Sequence, residues 1–291
     1  MKTWEKYHLA YSIQEALTSL AGAPGPARPV AGGTDLLLDL QQGRHPPVHT
    51  LVDITSIPEL NALEIRQDEL FVGAAVPLNR VVASPLVQEH ARGLFEAARL
   101  IGGPQVRNTA TLGGNVGHAL PAADGAIALL SLGAQAEVAD LNGCRRVPFE
   151  DLFAGPGLSA LDQKSQLLVG FALPLSKKGQ ASAFQRVMRP QGVAIAILNM
   201  GVWVQREGDR LSDVRLAAGP AGPRPFRARA AEAVLRGRIL DAGSQKDALE
   251  AFLGEARFRT SAHRSTAEYR RHLTGVLLSE TLQTAWERSF E

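Results

Sequence analysis

Two glycine pairs constrain this chain more than any other feature of its sequence. One lies in Val30-Ala31-Gly32-Gly33-Thr34-Asp35-Leu36. The other closes the segment from Gly102-Gly103-Pro104 to Thr111-Leu112-Gly113-Gly114-Asn115. Glycine has no Cβ, so its N–H can approach an anion closely, and successive N–H groups in a turn form a concave anion site. Thr34 and Thr111 each set a hydroxyl beside a pair. Two such loops can grip one pyrophosphate from two sides, although each Gly-Gly taken singly also reads as a plain tight turn. Neither loop is the G-x-G-x-x-G fingerprint or a P-loop with its lysine, which argues against a Rossmann dehydrogenase and a nucleotidase.

The surrounding pattern is that of an α+β protein. Ser12-Ile13-Gln14-Glu15 reads as a capping box opening a helix with Ile13, Ala16, Leu17 and Leu20 on one face. Val30-Ala31 reads as a short strand, and Leu36 to Leu40 as a short helix with Thr34 as its cap. Thr50 to Thr55 predicts a strand, and 63–65 and 70–72 a hairpin. Pro85 to Ile101 reads as one helical stretch, and Ala126 to Leu132 as a helix stopped by Gly133. Asn142-Gly143 marks a hairpin, and Leu167 to Leu173 a strand. Ser176 to Gln180 is the best linker. Strands are expected beyond it at Phe184–Met188, Ala194–Val204 and Leu211–Ala217, then helices around 229–235, 245–252 and 265–290. Segregated strands and helices, rather than regular βαβ alternation, set the class. At 291 residues the chain has room for two domains, or three small ones.

Composition removes whole classes of function. Lys and Arg number 31 against 29 Asp and Glu, a formal net charge of +2, which gives no electrostatic case for nucleic acid. Nothing approaches the ~18 consecutive apolar residues of a membrane span. The first residues carry no apolar signal core, so no export is expected. Cys144 is the only cysteine; it permits no intrachain disulfide, cysteine-ligated iron–sulfur cluster or zinc finger, and its reduced state fits a cytoplasmic location. Redox chemistry therefore needs an organic cofactor or a partner's metal. His45 and His49 lie in a Pro-rich loop with no carboxylate at ligand spacing, against a metal site. His118 reads as a surface residue more readily than as a cofactor contact. Trp203 reads as core, and Arg224, Arg227 and Arg229 as a solvated or intersubunit face. No Ser–His–Asp set presents itself.

Taken together, Val30 to Leu36, Thr111 to Asn115, and Pro121-Ala122-Ala123-Asp124 resemble one family: the FAD-binding medium subunits of the molybdenum hydroxylases, such as xanthine dehydrogenase and aerobic carbon monoxide dehydrogenase. The resemblance continues through Arg146-Val147-Pro148, Gly155-Pro156-Gly157 and Leu173-Pro174 to Ser265–Arg270, nearly the whole chain. It implies a two-subdomain FAD-binding fold of the vanillyl-alcohol-oxidase type over residues 1–175, divided near 55, then a C-terminal domain over 176–291 with three strands and a helical bundle. It implies FAD as cofactor. Its cofactor-binding positions would be Pro29, Val30, Ala31, Gly32, Gly33, Thr34, Asp35 and Leu36, and Thr111, Leu112, Gly113, Gly114 and Asn115. Asp124 matches a carboxylate near the adenosine part, and Ile101 and Leu168 match apolar positions beside the rings. Relatives often present an aromatic and then a lysine after the linker. Here the run is Ala183-Phe184-Gln185-Arg186, so Gln185 takes the place of the cation near the flavin unless Arg186 or Arg189 supplies it. The inserted four-cysteine cluster of 4-hydroxybenzoyl-CoA reductase is excluded by the single Cys144.

The resemblance also implies partners: a molybdenum-cofactor large subunit and a small subunit with two [2Fe–2S] clusters, assembled as a heterotrimer or a dimer of heterotrimers. In that assembly this chain's FAD takes electrons from the iron–sulfur subunit and delivers them to NAD or oxygen. Two other readings compete. One is a self-contained flavin reductase, for which no proton donor is evident. The other is an assembly subunit with a decayed FAD site, against which the intact glycine loops count.

Overall fold

The computed structural model describes residues 3–189 and 195–291. Its first layer is a small parallel sheet. Strand β1 (Trp4–Leu9) leads through helix α1 (Ile13–Ala21) to β2 (Ala27–Val30), and α2 (Leu36–Gln41) leads to β3 (Val48–Asp53). The strand order is β1-β3-β2, so both helices serve as crossovers. Ser12 Oγ accepts from Glu15 N–H at 3.1 Å, but the Glu15 carboxylate reaches back to Tyr11 N–H, one residue ahead of the box. Thr34 does not cap α2: Asp35 holds that position and makes no side-chain cap bond. The glycine segment therefore follows β2 directly as an open turn, with Gly33 at φ +66°.

The second layer is a five-stranded antiparallel sheet with helices on one side. Hairpin β4 (Leu63–Arg66) and β5 (Glu69–Gly73) is followed by α3 (Leu78–Ala83), α4 (Pro85–His90), α5 (Arg92–Leu100), α6 (Pro104–Arg107), α7 (Leu112–Gly117) and α8 (Asp124–Leu132). Hairpin β6 (Gln135–Asp140) and β7 (Gly143–Pro148), the short pair β8 (Phe153–Gly155) and β9 (Leu158–Ser159), and β10 (Leu167–Pro174) complete it. The order is β4-β5-β10-β6-β7. The stretch expected as one helix from Pro85 to Ile101 is two, because Ala91 leaves the helical region at φ −140°, ψ 52°. Every residue of α8 is buried, and Gly133 ends it in the left-handed region at φ +73°.

The third layer is β11 (Gln180–Val187), β12 (Leu198–Glu207), β13 (Arg210–Gly219) and β14 (Phe226–Arg227), then α9 (Arg229–Leu235), α10 (Ala242–Glu255) and α11 (Ala267–Arg288). Three strands were expected; the two-residue β14 adds a fourth by pairing Phe226 with Ala218. Ala194, where the middle strand was expected to begin, lies outside the described residues, and β12 begins at Leu198. Helices α5 and α8 pack on one face of this sheet and α11 on β11 and β12 from the other core. Helix α8 is buried all round because it lies between two sheets, which explains why its sequence is apolar on every face.

A cavity between two glycine loops

The two glycine loops meet. A Cβ on Gly32 would overlap the Thr109 carbonyl oxygen, so the first loop lies directly against the backbone leading into the second. Between them and the third sheet opens a cavity of about 540 Å³, within the usual range for a cofactor site. Pro29, Val30, Ala31, Gly32, Gly33, Thr34, Asp35, Leu36, Ile101, Thr111, Gly113, Gly114, Asn115, Asp124 and Leu168 all line it. Leu112 does not. As the first residue of α7 it is fully buried in the hydrophobic core.

The loops differ in how their backbone is used. In the second, Leu112 N–H donates to Val76 O, Gly113 N–H to Ala74 O and Asn115 N–H to Thr111 O. Gly114 N–H donates to Thr111 Oγ at 3.0 Å, so the threonine is a helix cap. These donors are spent. In the first loop the N–H groups of Gly32, Gly33, Thr34, Asp35 and Leu36 find no acceptor among the described residues. Of the second loop only Thr111 N–H, like the N–H groups of the first loop, is without an acceptor among the described residues, so fewer N–H groups are free there than the glycine pattern suggests. Gly113 is a packing glycine whose Cβ would press on Ala74 at 2.5 Å. Gly114 is different, since a Cβ there meets only the Thr111 hydroxyl, at 3.1 Å, and Gly117 meets nothing within 4 Å. Both line the opening.

A buried polar cluster closes the floor. Asp124 opens α8, and its place is fixed by Asn115, whose Oδ1 accepts from Gly125 N–H at 3.1 Å. Asp124 Oδ2 accepts from Arg186 Nη1, and Oδ1 from Asn199 Nδ2 at 2.6 Å. Burial holds the Asp124 carboxyl above the ordinary carboxylate range, opposed by the Arg186 charge and the Asn199 amide. Arg186 Nη2 donates to Leu100 O at 2.6 Å, while Arg186 Nε is buried with no partner. On this strand the side chain that lines the cavity is thus Arg186 and not Gln185. Strand residues alternate faces: Phe184 packs into the core of the second layer, so Arg186 shares its face, whereas Gln185 points with Ala183 and Val187 toward the C-terminal core. The signal was in the sequence, in the position of the apolar Phe184. The structure also brings Arg28, His45, His118, Gln163 and Gln166 to the lining. The sequence alone favours neither His118 nor His45 as a contact, and nothing local in it marks the two glutamines.

The residues fit FAD. The unspent N–H groups of the first loop suit phosphate oxygens, Ile101, Leu78, Leu161 and Leu168 give apolar walls for rings, and Arg186 brings a guanidinium to the lining. Fold and cavity together define a flavin-binding α+β protein. The model of the FAD binding domain in molybdopterin dehydrogenase matches residues 2–176, and that of the CO dehydrogenase flavoprotein C-terminal domain matches residues 182–285. The chain belongs to this family of FAD-binding oxidoreductase subunits. It is 31% identical to the putative xanthine dehydrogenase FAD-binding subunit of Escherichia coli K12 over 98% of this chain and 97% of that one. It is 28% identical to the carbon monoxide dehydrogenase medium chain of Hydrogenophaga pseudoflava, over 97% of each. A structure of that organism's carbon monoxide dehydrogenase, lacking the Mo-pyranopterin moiety, superposes with a TM-score of 0.93 at 28% identity, covering 99% of both chains. Quinoline 2-oxidoreductase from Pseudomonas putida superposes at 0.90 with 26% identity, covering 99% of this chain and 98% of that one.

Proposed function

We propose that this chain is the electron-storing subunit of a molybdenum hydroxylase complex, between a [2Fe–2S] subunit that supplies single electrons and a soluble acceptor such as NAD or oxygen. The observation that carries the reading is one cavity lined by the first loop with its free N–H groups, the bare second-loop glycines and Arg186, in a chain of this family. Bound FAD supplies two-electron storage with one-electron exchange. The protein supplies position and polarity. N–H groups from Gly32 to Leu36, with the Thr34 hydroxyl, hold the pyrophosphate. Gly114 and Gly117 let the cofactor lie against bare backbone. Ile101 and Leu168 would exclude water from the rings, and the Arg186 guanidinium would set a positive charge beside the cofactor. Asp124 positions Arg186 by taking its Nη1. Because both carboxylate oxygens already accept protein donors, orienting that guanidinium takes precedence over ribose contact in this reading.

The test is co-expression with candidate molybdenum and iron–sulfur subunits. A stable complex should form, and anaerobic addition of its substrate should bleach the oxidised-flavin absorbance. A complex in which the flavin stays oxidised while the iron–sulfur clusters are reduced would overturn the proposed direction of electron flow.

A further inference from the structure

One side of the cavity carries charge that the pyrophosphate loop does not explain. Arg28 comes from β2, His45 from the segment after α2, and His118 from the end of α7; all three line the opening. No side-chain hydrogen bond engages Arg28 or His118 among the described residues, and His45 Nε2 stands 3.8 Å from Asp39 Oδ2. Asp39 is the buried carboxylate behind them, and its Oδ1 already accepts from Arg44 Nη1 at 3.1 Å. One carboxylate thus faces two guanidinium groups and the His45 imidazole. Of the remaining charged groups on the lining, Asp124 and Arg186 satisfy each other, and Asp35 is exposed at the start of α2. Burial pulls the Arg28 guanidinium below its ordinary value, with Asp39 opposing. His45 is held below the ordinary imidazole range by burial first, then by the charges of Arg28 and His118, again with Asp39 opposing.

A half-buried arginine and two imidazoles without hydrogen-bonded acceptors are prepared for an anion. We infer that Arg28, His45 and His118 form a pole of donors that receives a phosphoryl group of the bound cofactor, and that the His45 imidazole takes up a proton as it arrives. This rests on the FAD reading above. The sign follows from linkage. An adjacent anion raises an imidazole's pKa, so the bound state holds more protons between the free and bound values, and affinity falls as pH rises through that interval.

The experiment is a fluorescence titration of the cofactor-stripped full chain with FAD, and in parallel with riboflavin, which has no phosphate, from about pH 5.5 to 8.5. Wild-type FAD affinity should fall with rising pH, by up to about tenfold per unit for each proton taken up. The variant His45→Gln should flatten the profile at the wild-type high-pH value. Arg28→Gln should weaken FAD by about tenfold at every pH, the loss expected for one charge-assisted hydrogen bond, with partial rescue by Arg28→Lys. Riboflavin binding should be the same in all these proteins. FAD binding that is tight but independent of pH and of these substitutions would overturn the inference and leave the FAD reading standing. So would Arg28-dependent binding of inorganic pyrophosphate to the FAD-loaded chain, because the pole would then be uncovered. Failure of the wild type to bind FAD at any pH would overturn the FAD reading itself.

Discussion

Gly32, Gly113 and Gly114 look alike in sequence and differ in what their missing Cβ makes room for. At Gly32 and Gly113 the space is filled by the backbone of Thr109 and Ala74, so these are packing positions. At Gly114 it is filled by the opening and the Thr111 hydroxyl. Gly113→Ala should therefore cost about 1–3 kcal/mol of stability, read as a lower chemical-denaturation midpoint. Gly114→Val should leave a folded protein that has lost most of its FAD, read as the flavin-to-protein ratio after purification. A Gly114→Val protein that keeps a full complement of FAD would remove the second loop from the binding surface. The buried pair behaves as a unit for a related reason. Arg186→Met strands the Asp124 carboxylate and should cost about 3–5 kcal/mol. Adding Asp124→Leu should recover much of that stability without recovering FAD, which separates the structural role of the pair from its role toward the cofactor. Recovery of both in the double variant would show that Arg186 serves the fold alone.

Periodicity carried most elements and missed where tertiary contacts decide. The 63–66/69–73 and Asn142-Gly143 hairpins follow from alternation and turn chemistry, and α8 from its apolar run closed by Gly133. The break at Ala91 has no local breaker. It falls where Gly93 meets β11, its N–H donating to the buried Ser182 Oγ at 3.0 Å, and a contact so far away in sequence leaves no pattern in the helix itself. The site was legible as two loops because glycines announce close approach. It was not legible which N–H groups were already engaged, because that depends on Val76, Ala74 and Thr111 accepting from the second loop. The one-residue slip from Arg186 to Gln185 came from matching residue types where strand alternation anchored on Phe184 decides the face. Helix α5 also ties the third sheet to the second: Glu96 accepts from Phe184 N–H at 2.8 Å and from Arg288 Nη2 at 2.6 Å. Glu96→Ala leaves both donors without this acceptor and should cost about 2–3 kcal/mol, lowering the Tm by several degrees in calorimetry. An unchanged Tm would show that this seam does not carry the stability of the chain.

At the scale of the whole molecule, the candidate FAD site is the opening where three layers meet. Among the described residues no helix is long and apolar enough to cross a membrane, and no group of His, Cys, Asp or Glu is arranged to hold a metal ion. Cys144 is exposed on an edge strand, and burial together with Glu137 pushes its thiol up, away from ready ionisation. Metal analysis of the purified chain is therefore expected to find flavin without stoichiometric iron or molybdenum, and a cluster bound by the lone chain would require ligands from a second copy. Each layer donates one part of the site: the free N–H groups come from the first, the glycine wall and Asp124 from the second, and Arg186 from the third. The central claim is that these parts together hold one FAD. Its most direct measurement is a stoichiometric titration of the cofactor-stripped chain with FAD, followed by fluorescence quenching and compared with Gly114→Val and Arg186→Met. One FAD per wild-type chain, with binding lost or strongly weakened in both variants while their folds persist, is the result this account predicts. Wild-type-like binding in both variants would contradict it.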